Sequence, residues 1–337
     1  MITTLNQSRF AVSAYFFFNG FMFANWSSRL PELQRFFGVS NTELGTLLLV
    51  IALGAIIAMP FTGALVQRYG TKSWTKIVGL IYVMTIPFLA ISPSLYVAFP
   101  IFFCIGLLNG SMDVSMNGQA VFVERLFQKP ILSSFHALFS IGMALGAGAG
   151  ALFAYFDVSL LVHFGSMAIL AFCVLWYTAK FMVEDPPEEK EESEGPKFRL
   201  PTKAILPLGI IAFCGMTGEG SMTDWSAIFM NTVVGQSEAF SAFAFGVYAA
   251  TMTIGRLLGD SLTQKWGSDR LLIFDGVLAI TGLSVVILFP SAIPTIIGYA
   301  MIGLGISTIV PIIYSRAGNT KGVNPSVGIA MATTIGY

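Results

Sequence analysis

Apolar segments of roughly 20 residues recur along the whole chain, separated by short polar or charged turns. An α-helix rises about 1.5 Å per residue and the hydrocarbon core of a bilayer is about 30 Å thick, so about 20 apolar residues are needed to cross it. Ten segments meet this length and an eleventh begins near Pro325. The predicted helices are 10–28, 43–67, 74–92, 95–122, 134–156, 160–183, 204–231, 239–264, 271–290, 292–314 and 325 onward. The pattern predicts an all-α polytopic membrane protein.

The composition supports this class. Hydrophobic residues make up 55% and charged residues 11%, with a mean hydropathy of +0.76, whereas a soluble domain carries about 25% charged residues. The net charge of zero gives no reason to expect a nucleic-acid partner. Cys104, Cys173 and Cys214 lie inside apolar runs without metal-type spacing, so we interpret them as packing residues and expect neither a metal nor a cofactor.

One long polar run, 184–201, is rich in Glu and Pro and cannot bury enough apolar surface to fold. We therefore predict an N-terminal six-helix bundle at 1–183, a cytoplasmic linker at 184–203 and a C-terminal bundle at 204–337. The first apolar segment has no small-residue cleavage motif at its end, so we interpret it as the first helix rather than a signal peptide.

Lysine and arginine are distributed unevenly between the two sides that these helices define. With the N-terminus inside, only Arg29 and Arg35 lie outside, and Arg256 lies within a helix. The other fifteen are cytoplasmic: Arg9, Arg68, Lys72, Lys76, Arg125, Lys129, Lys180, Lys190, Lys197, Arg199, Lys203, Lys265, Arg270, Arg316 and Lys321. The positive-inside rule then predicts a multi-pass protein with a cytoplasmic N-terminus.

Short sequences repeat about 200 residues apart. Asn25-Trp26-Ser27 recurs as Asp224-Trp225-Ser226, Arg68-Tyr69-Gly70-Thr71 as Lys265-Trp266-Gly267-Ser268, and Gly106-Leu107 as Gly303-Leu304. The first offset is 199 and the other two are 197. Such a repeat indicates a duplicated six-helix unit in parallel orientation. On this pattern the chain is expected to end within the eleventh of twelve helices, by truncation of either the protein or its gene.

The turn after the second helix carries a recognisable spacing, Gly63, Arg68, Gly70 and Lys72. With six plus six helices and a long central cytoplasmic loop, it resembles the Gly-x-x-x-Asp-Arg-x-Gly-Arg-Arg/Lys loop motif of the major facilitator superfamily. Gln67 replaces the Asp, which weakens one expected charge lock.

The resemblance implies a carrier, expected to be a monomer, in which Gly63, Arg68 and Gly70 belong to the gate. Arg256, Gly259 and Asp260 on the eighth helix supply an acid and a base that can take over the lock. We expect Arg256 and Asp260, four residues apart on one helix face, to brace this inner gate.

Three further stretches are similar to a bacterial branch of the superfamily, the YbjJ-like proteins, themselves similar to fucose permease-type carriers. They are Asn-Trp-Ser-Ser-Arg-Leu-Pro at 25–31, Asp113-Val-Ser-Met-Asn117 and Asp224-Trp225-Ser226. This resemblance implies a bacterial inner-membrane protein whose cavity is lined by helices 1, 4, 7 and 10.

Polar residues at lipid depth are costly and usually face a cavity. Asn109, Asp113 and Asn117 in the fourth helix are spaced i, i+4, i+8 and share one face. We interpret this stripe as a hydrogen-bonding surface for a polar solute. The alternative is an Asp solvated by its own neighbours that fixes helix packing.

The seventh helix carries two acids. Glu219 is surrounded by glycines, and Asp224 points about 140° away from it on ideal geometry. Burial away from water favours the protonated form of a carboxyl group, so Glu219 and Asp113 are the candidate proton carriers. Of the two, we expect Glu219 to take and release the proton while Asp113 binds solute with Asn109 and Asn117. Asp224 is nearer the outer end, where Arg29 is a candidate partner for it in an outer gate; the alternative is that the two do not pair.

Trp26 and Trp225, with Asn25, are candidate solute contacts. Each Trp is either an interfacial anchor or an aromatic platform for a sugar-like face. We interpret the two histidines, His136 and His163, as structural.

Other functional classes fit less well. A membrane enzyme would need a nucleophile with a base, or a metal cluster, at lipid depth, and only two distant His are present. A channel would not need the repeat, and a receptor would not need acids in both halves. We therefore predict a secondary active transporter that moves a small polar solute with protons by symport. The alternative is a proton-coupled exporter of drugs or metabolites, and the solute, direction and stoichiometry stay open.

Overall fold

The computed structural model describes residues 2–184 and 202–337, and over these residues the chain is helical with no strand. The long helices are α1 Ile2–Ser27, α2 Asn41–Tyr69, α3 Thr71–Thr85, α4 Leu95–Phe127, α5 Leu132–Tyr155, α6 Leu160–Ala179, α7 Leu206–Thr232, α8 Glu238–Trp266, α9 Ser268–Leu288, α10 Ala292–Ile306 and α11 Pro325–Gly336. A 3₁₀ turn, Ile86–Ile91, extends α3, and Ile309–Gly318 extends α10 beyond a break. Each predicted helix is present; α1 starts at Ile2 rather than at the predicted residue 10, and the other ends are shifted by about five residues or fewer. The predicted linker at 184–203 lies almost entirely outside the described residues.

A short loop helix, Leu30–Phe37, was not predicted. It lies between α1 and α2, with Pro31 in its first turn and Gly38 closing it at a φ of 65°. Pro at the start and Gly just after the end are ordinary helix signals. Eight mixed polar and apolar residues are too few to stand out beside spanning segments.

Eight of the described helices are long and apolar enough to cross a membrane, fewer than the ten that segment length alone predicts. The two that differ, α1 and α7, have 26 and 27 residues and so are long enough. Asn19 and Asn25 in α1, and Glu219 and Asp224 in α7, lower their hydropathy. Helices that carry such groups through a bilayer need a protein or water-filled neighbour for them.

The internal repeat is visible in the packing. In the first bundle, formed by α1–α6, α1 packs on α5 and α2 on α4; in the second, formed by α7–α11, α7 packs on α11 and α8 on α10. The same pairs therefore recur six helices later. Gly70 and Gly267, 197 residues apart, both join two helices with φ near 80° and ψ of 151°. Because few residues other than glycine adopt this backbone, both turns depend on it.

The bundles meet mainly through α2 with α11 and α5 with α8, a pairing that itself follows the repeat. These contacts lie at the end of the molecule that carries the α2–α3 and α8–α9 turns, which we call the closed end. A Cβ on Gly63 would lie 3.1 Å from Ala330 Cβ, and one on Gly259 would lie 2.6 Å from Ser133 Oγ. The two bundles therefore approach each other at the closed end as tightly as glycine allows.

The outer surfaces of the bundles are apolar. Exposed isoleucine, leucine, valine and phenylalanine side chains cover α3, α6 and α9, as expected for helices that face lipid. The three cysteines are also exposed. Their interpretation as interior packing residues was wrong, because an apolar run in a membrane helix has a lipid-facing side as well as a packed one.

Candidate functional site

A cavity of about 370 Å³ lies between the two bundles. Its lining from the first bundle is Phe16, Phe23, Asn109, Asp113, Met116, His136, Phe139 and Met143, and from the second Met216, Glu219, Gly220, Arg256, Val310, Tyr314 and Tyr337. An apolar wall with a few convergent polar groups is typical of a site for a small molecule. The predicted residues Asn109, Asp113 and Glu219 all line it.

The α4 stripe forms a short hydrogen-bonded chain. Asn117 Nδ2 lies 2.9 Å from Asp113 O and 3.1 Å from Asp113 Oδ1, and Asn117 Oδ1 lies 3.1 Å from His136 Nε2. Because the amide nitrogen of Asn117 donates to Asp113, its oxygen must accept from His136, which assigns the proton of a neutral His136 to Nε2. Asn117 is fully buried and does not line the cavity. It contacts Asp113 and His136 from behind the cavity wall, and its direct contact with solute stays a prediction.

The opposite wall holds an ion pair. Arg256 Nη2 lies 3.0 and 3.1 Å from the two carboxylate oxygens of Glu219, and Arg256 Nη1 donates to Ser140 Oγ at 2.6 Å. Arg256 is only 4% exposed. Since Ser140 belongs to α5 and Glu219 to α7, one guanidinium joins the acid of the second bundle to the first bundle.

Asp260 is not the partner of Arg256, contrary to the i, i+4 expectation. Its two carboxylate oxygens each lie 3.2 Å from the backbone nitrogen of Ser134 on α5. Asp260 therefore reaches across to the first bundle, and Arg256 contacts Ser140 of that bundle and Glu219 of its own, so the two do not pair with each other. A neighbouring helix offers each of them a partner more favourable than an exposed i, i+4 pair, which is worth only about 0.5 kcal/mol.

Asn25, Trp26 and Trp225 do not line the cavity. Asn25 Nδ2 points to Gly146 O at 3.5 Å. Trp26 is 1% exposed and packs edge-on against Phe102, whereas Trp225 is 64% exposed. In the described state, a solute in this cavity would not contact any of the three, and their role as solute contacts stays a prediction.

The offset of the repeat explains why the two tryptophans differ. Gly70 and Gly267 fix the structural offset at 197, while Trp26 and Trp225 are 199 apart. Two residues turn a helix by about 200°, so the two side chains leave equivalent helices on opposite sides. The residue equivalent to Trp26 in the second bundle is Thr223.

The predicted pair of Arg29 with Asp224 is absent from the described residues. Arg29 is 3% exposed, forms an ion pair with Glu32, and donates to Val158 O at 2.9 Å. It also lies 3.2 Å from His163 Nδ1. Asp224 is exposed on α7. Arg29 thus ties the loop helix to the α5–α6 turn within the first bundle.

The two histidines have different surroundings. His163 is buried and stacks on Phe153 with centroids 4.3 Å apart, in agreement with its structural interpretation. His136 lines the cavity and also contacts Asn117 and Phe16, a position at the cavity wall that the sequence did not predict. The sequence places His136 near the start of α5 but does not show that α5 borders the space between the bundles.

The closed end gathers the predicted gate residues. Gly63 and Gly259 allow the close approach described above, and Gly70 forms the α2–α3 turn. Arg68 is exposed and lies over the Tyr69 ring, 5.3 Å from its centroid. Arg125, which was not predicted to take part, donates to Asn319 Oδ1 at 2.7 Å across the bundles.

Two buried acids were missed. Glu124 Oε2 accepts from the backbone nitrogens of Ile131 and Leu132 at 2.9 and 3.1 Å, and its other oxygen accepts from Ser315 of the second bundle. Asp275 on α9 accepts from Thr308 at the break in α10. Each lies near the end of an apolar segment, where a sequence pattern cannot distinguish an interior acid from a loop charge.

Comparison with known proteins agrees with this architecture. The sequence profile of the Major Facilitator Superfamily matches residues 11–336. An uncharacterised MFS-type transporter of Yersinia pestis is 31% identical over 325 residues, which are 96% of this chain and 83% of that protein. An uncharacterised transporter of Sinorhizobium fredii is 31% identical over 328 residues, 97% of this chain and 86% of that protein. Among solved structures, FucP in the outward conformation gives a TM-score of 0.74 at 14% identity, with 96% of this chain and 87% of that chain covered. The E. coli fucose:proton symporter FucP gives 0.75 at 13% identity, with 97% and 87% covered.

Proposed function

The chain belongs to the Major Facilitator Superfamily, a family of membrane transporters rather than enzymes, and on this premise we propose that it moves a small polar solute across the inner membrane by proton symport and alternating access. The observation that carries the proposal is the charge distribution of the cavity. Asp113 has an amide as its partner, while Glu219 is already neutralised by Arg256. With His136 neutral, the cavity holds two carboxylates and one guanidinium, a net charge of −1.

We assign the coupled proton to Asp113. Protonation of Asp113 makes the cavity neutral, whereas protonation of Glu219 would leave the buried Arg256 without its counter-ion. A charge left bare in a closing, water-poor cavity opposes closure. From the residues alone, Asp113 and Glu219 are both candidate proton carriers, with the proton assigned to Glu219 and solute binding to Asp113; the Glu219–Arg256 ion pair favours Asp113 as the carrier instead. Asn109, His136 and the Glu219–Arg256 pair then supply the hydrogen bonds to solute.

The rocking step follows from the contacts at the closed end. If the fifteen basic residues mark the cytoplasm, the closed end is cytoplasmic and the described state faces outward. Opening inward must break the bonds from Asp260 to Ser134, from Arg256 to Ser140 and from Arg125 to Asn319. Folds built from repeats alternate access by such rigid rocking around a site at the repeat interface.

A proton-coupled exporter is the second candidate. The same net charge of −1 is suited to a cationic solute that exchanges with the proton on Asp113. Phe16, Phe23, Phe139 and Met143 give part of the cavity an apolar wall that would suit such a solute.

Transport by the purified full chain in proteoliposomes separates the two candidates. Labelled neutral sugars and cyclic polyols, and cationic dyes, are offered with an imposed pH gradient in either direction. Symport predicts uptake when the outside is acidic, and antiport predicts uptake when the inside is acidic. A prior thermal-shift screen identifies solutes, because a ligand at 100 times its Kd stabilises by about 2.7 kcal/mol. If no solute drives proton movement in either direction, proton coupling is wrong.

Orientation is tested by labelling the loops at the two ends of α10. In a variant without the three native cysteines, cysteine at Ser291 should react with an impermeant reagent added to intact cells. Cysteine at Lys321 should react only after the membrane is opened. Both residues are exposed in turns, so a difference in labelling reports the side of the membrane. The opposite pattern would reverse the assignment of the closed end.

Asp260→Asn should loosen the closed end. The substitution removes the charge from a bond that is worth about 1.5–3 kcal/mol when charged and about 1 kcal/mol when neutral. A loss of about 1.4 kcal/mol corresponds to a tenfold shift in the population open at that end. Cysteine at Ser326, which is fully buried between the bundles, should then be alkylated about tenfold faster.

Asp269→Asn is the matched control for this variant. Asp269 pairs with Arg316 at the same end of the molecule, but both belong to the second bundle. Its removal should leave alkylation at Ser326→Cys unchanged. Equal rates in Asp260→Asn and Asp269→Asn would show that Asp260 does not hold the gate.

A further inference from the structure

A second cavity, of about 300 Å³, opens between α3 and α6. Its lining is Lys72, Lys76, Trp176, Tyr177, Ala179 and Lys180. We call it the α3–α6 groove. It lies at the closed end but on the outer side of the first bundle, because α3 packs on α4 and α6 packs on α1, and the two helices pack on each other. The groove therefore borders the lipid and plays no part in the central cavity.

The three lysines are held in fixed positions. Lys72 and Lys76 are one turn apart on α3 and share a face. Lys76 Nζ lies 4.1 Å from the centroid of Trp176, and Lys180 Nζ lies 3.7 Å from that of Tyr177. Cation–π contacts of this kind orient an ammonium group and leave its other N–H groups available. The rings are 56% and 58% exposed, so the groove is open to a ligand.

The charge of the groove is positive. Lys72 Nζ forms an ion pair with Glu184 Oε1 at 2.6 Å, and Glu184 is itself largely exposed. Three ammonium groups and one carboxylate leave a net charge of +2. Trp and Tyr beside them are the residues that sit at the headgroup level of a bilayer. Basic pockets between membrane helices at that level suit phosphate headgroups.

An apolar track leads from the groove toward the bilayer centre. Ile77 and Ile81 on α3 are exposed, as are Ile169 and Leu170 on α6. A lipid with its phosphate at the lysines could lay an acyl chain along these side chains. A free phosphate ion would gain nothing from this surface, so the combination favours a lipid.

The groove is not a general consequence of the fold or of the positive-inside bias. At the offset of 197, the residues equivalent to Lys72 and Lys76 are Asp269 and Ile273 on α9. Asp269 is already paired with Arg316. The second bundle thus carries an acid and an apolar residue where the first carries two lysines.

We propose that the α3–α6 groove binds the phosphate headgroup of an anionic phospholipid, such as phosphatidylglycerol or cardiolipin. The headgroup phosphate accepts from Lys72, Lys76 and Lys180. Trp176 and Tyr177 support the glycerol region, and the acyl chains follow Ile77 and Ile81. The assignment is independent of the transported solute and of the proton-coupling residue.

Native mass spectrometry of the full chain, delipidated in detergent and titrated with defined lipids, tests the proposal. The wild-type protein should bind phosphatidylglycerol and cardiolipin at least tenfold more tightly than phosphatidylethanolamine. Lys76→Gln with Lys180→Gln should weaken the anionic lipids by about 30-fold, the factor expected from two lysines near a phosphate. Lys265→Gln with Lys321→Gln, two exposed lysines at the same end of the second bundle, is the matched control and should bind as wild type.

A competitor and further variants answer two more questions: whether the bound phosphate belongs to a lipid, and whether weaker binding reflects misfolding. Inorganic phosphate at millimolar concentration should not displace the lipid, and displacement would mean a simple anion site. Lys76→Arg with Lys180→Arg should retain binding, and Lys180→Gln alone, at an exposed position, should weaken it several-fold without affecting folding. Equal binding of anionic and zwitterionic lipids, or equal weakening in both Gln pairs, would overturn the proposal.

Discussion

Asp113→Asn is expected to abolish proton-driven accumulation of solute while preserving exchange of solute across the membrane. The variant carries a permanently neutral group at the position assigned to the proton, and Asn can still accept the hydrogen bond from Asn117. The loaded carrier can therefore rock, but protons no longer drive it. With one proton per solute, a gradient of two pH units can support an accumulation of about 100-fold, and we expect this to fall to about 1.

The measurement is uptake and counterflow of the identified solute in proteoliposomes, for the variant and for Asp224→Asn. Asp224 is also an acid within a long apolar helix, α7, but it is exposed and does not line the cavity. Asp224→Asn should accumulate solute like the wild type. If Asp113→Asn still concentrates solute under a proton gradient, the proton is carried elsewhere and Glu219 regains priority.

Glu219→Gln is expected to destabilise the protein. The substitution leaves the guanidinium of Arg256, which is 5% exposed, without a counter-ion. Breaking a fully buried ion pair on one side costs about 3–5 kcal/mol, and because the Glu219 side chain is 34% exposed we expect a loss at the lower end of that range. Adding Arg256→Gln removes the unpaired charge, so the double variant should recover most of the lost stability. Thermal unfolding in detergent measures both.

An exposed ion pair provides the control for this effect. Asp269 and Arg316 are 82% and 34% exposed, and pairs of that kind contribute about 0–1 kcal/mol. Asp269→Asn should therefore shift the unfolding temperature little. A stable Glu219→Gln, or a double variant no more stable than the single one, would contradict a structural ion pair at this position and would make Glu219 a credible proton carrier again.

Helix positions and the polar face of α4 were predictable because both follow from a period. Apolar length locates a spanning helix, and 3.6 residues per turn place Asn109, Asp113 and Asn117 on one side. Of these, Asn109 and Asp113 line the cavity. Asp113 lines the cavity, whereas Asn117 lies behind it and hydrogen-bonds to Asp113 and His136. Because His136 belongs to α5, this difference cannot be read from the α4 sequence.

Partners between helices could not be predicted in the same way. The sequence offers Arg256 the nearby Asp260, whereas the fold offers it Glu219, which is 37 residues away, and Ser140, which is 116 away. The prediction that Trp26 and Trp225 are equivalent failed for a different reason. A two-residue difference in offset leaves a sequence match intact but reverses the side of the helix on which the residue stands.

The start of α5 receives two carboxylates of different origin. Glu124, from the same bundle, accepts from the nitrogens of Ile131 and Leu132, and Asp260, from the other bundle, accepts from that of Ser134. The first N–H groups of α5, at the positive end of its helix dipole, are thus capped by Glu124 of the same bundle and by Asp260 of the other bundle. The first cap stays with the helix, and the second depends on contact between the bundles. If the bundles part as proposed, Asp260 leaves but Glu124 keeps the first turn of α5 anchored. The first turn of α5 would therefore stay helical while the bundles move as rigid bodies. The free-energy cost of each transport cycle would be confined to the few hydrogen bonds between the bundles at the closed end.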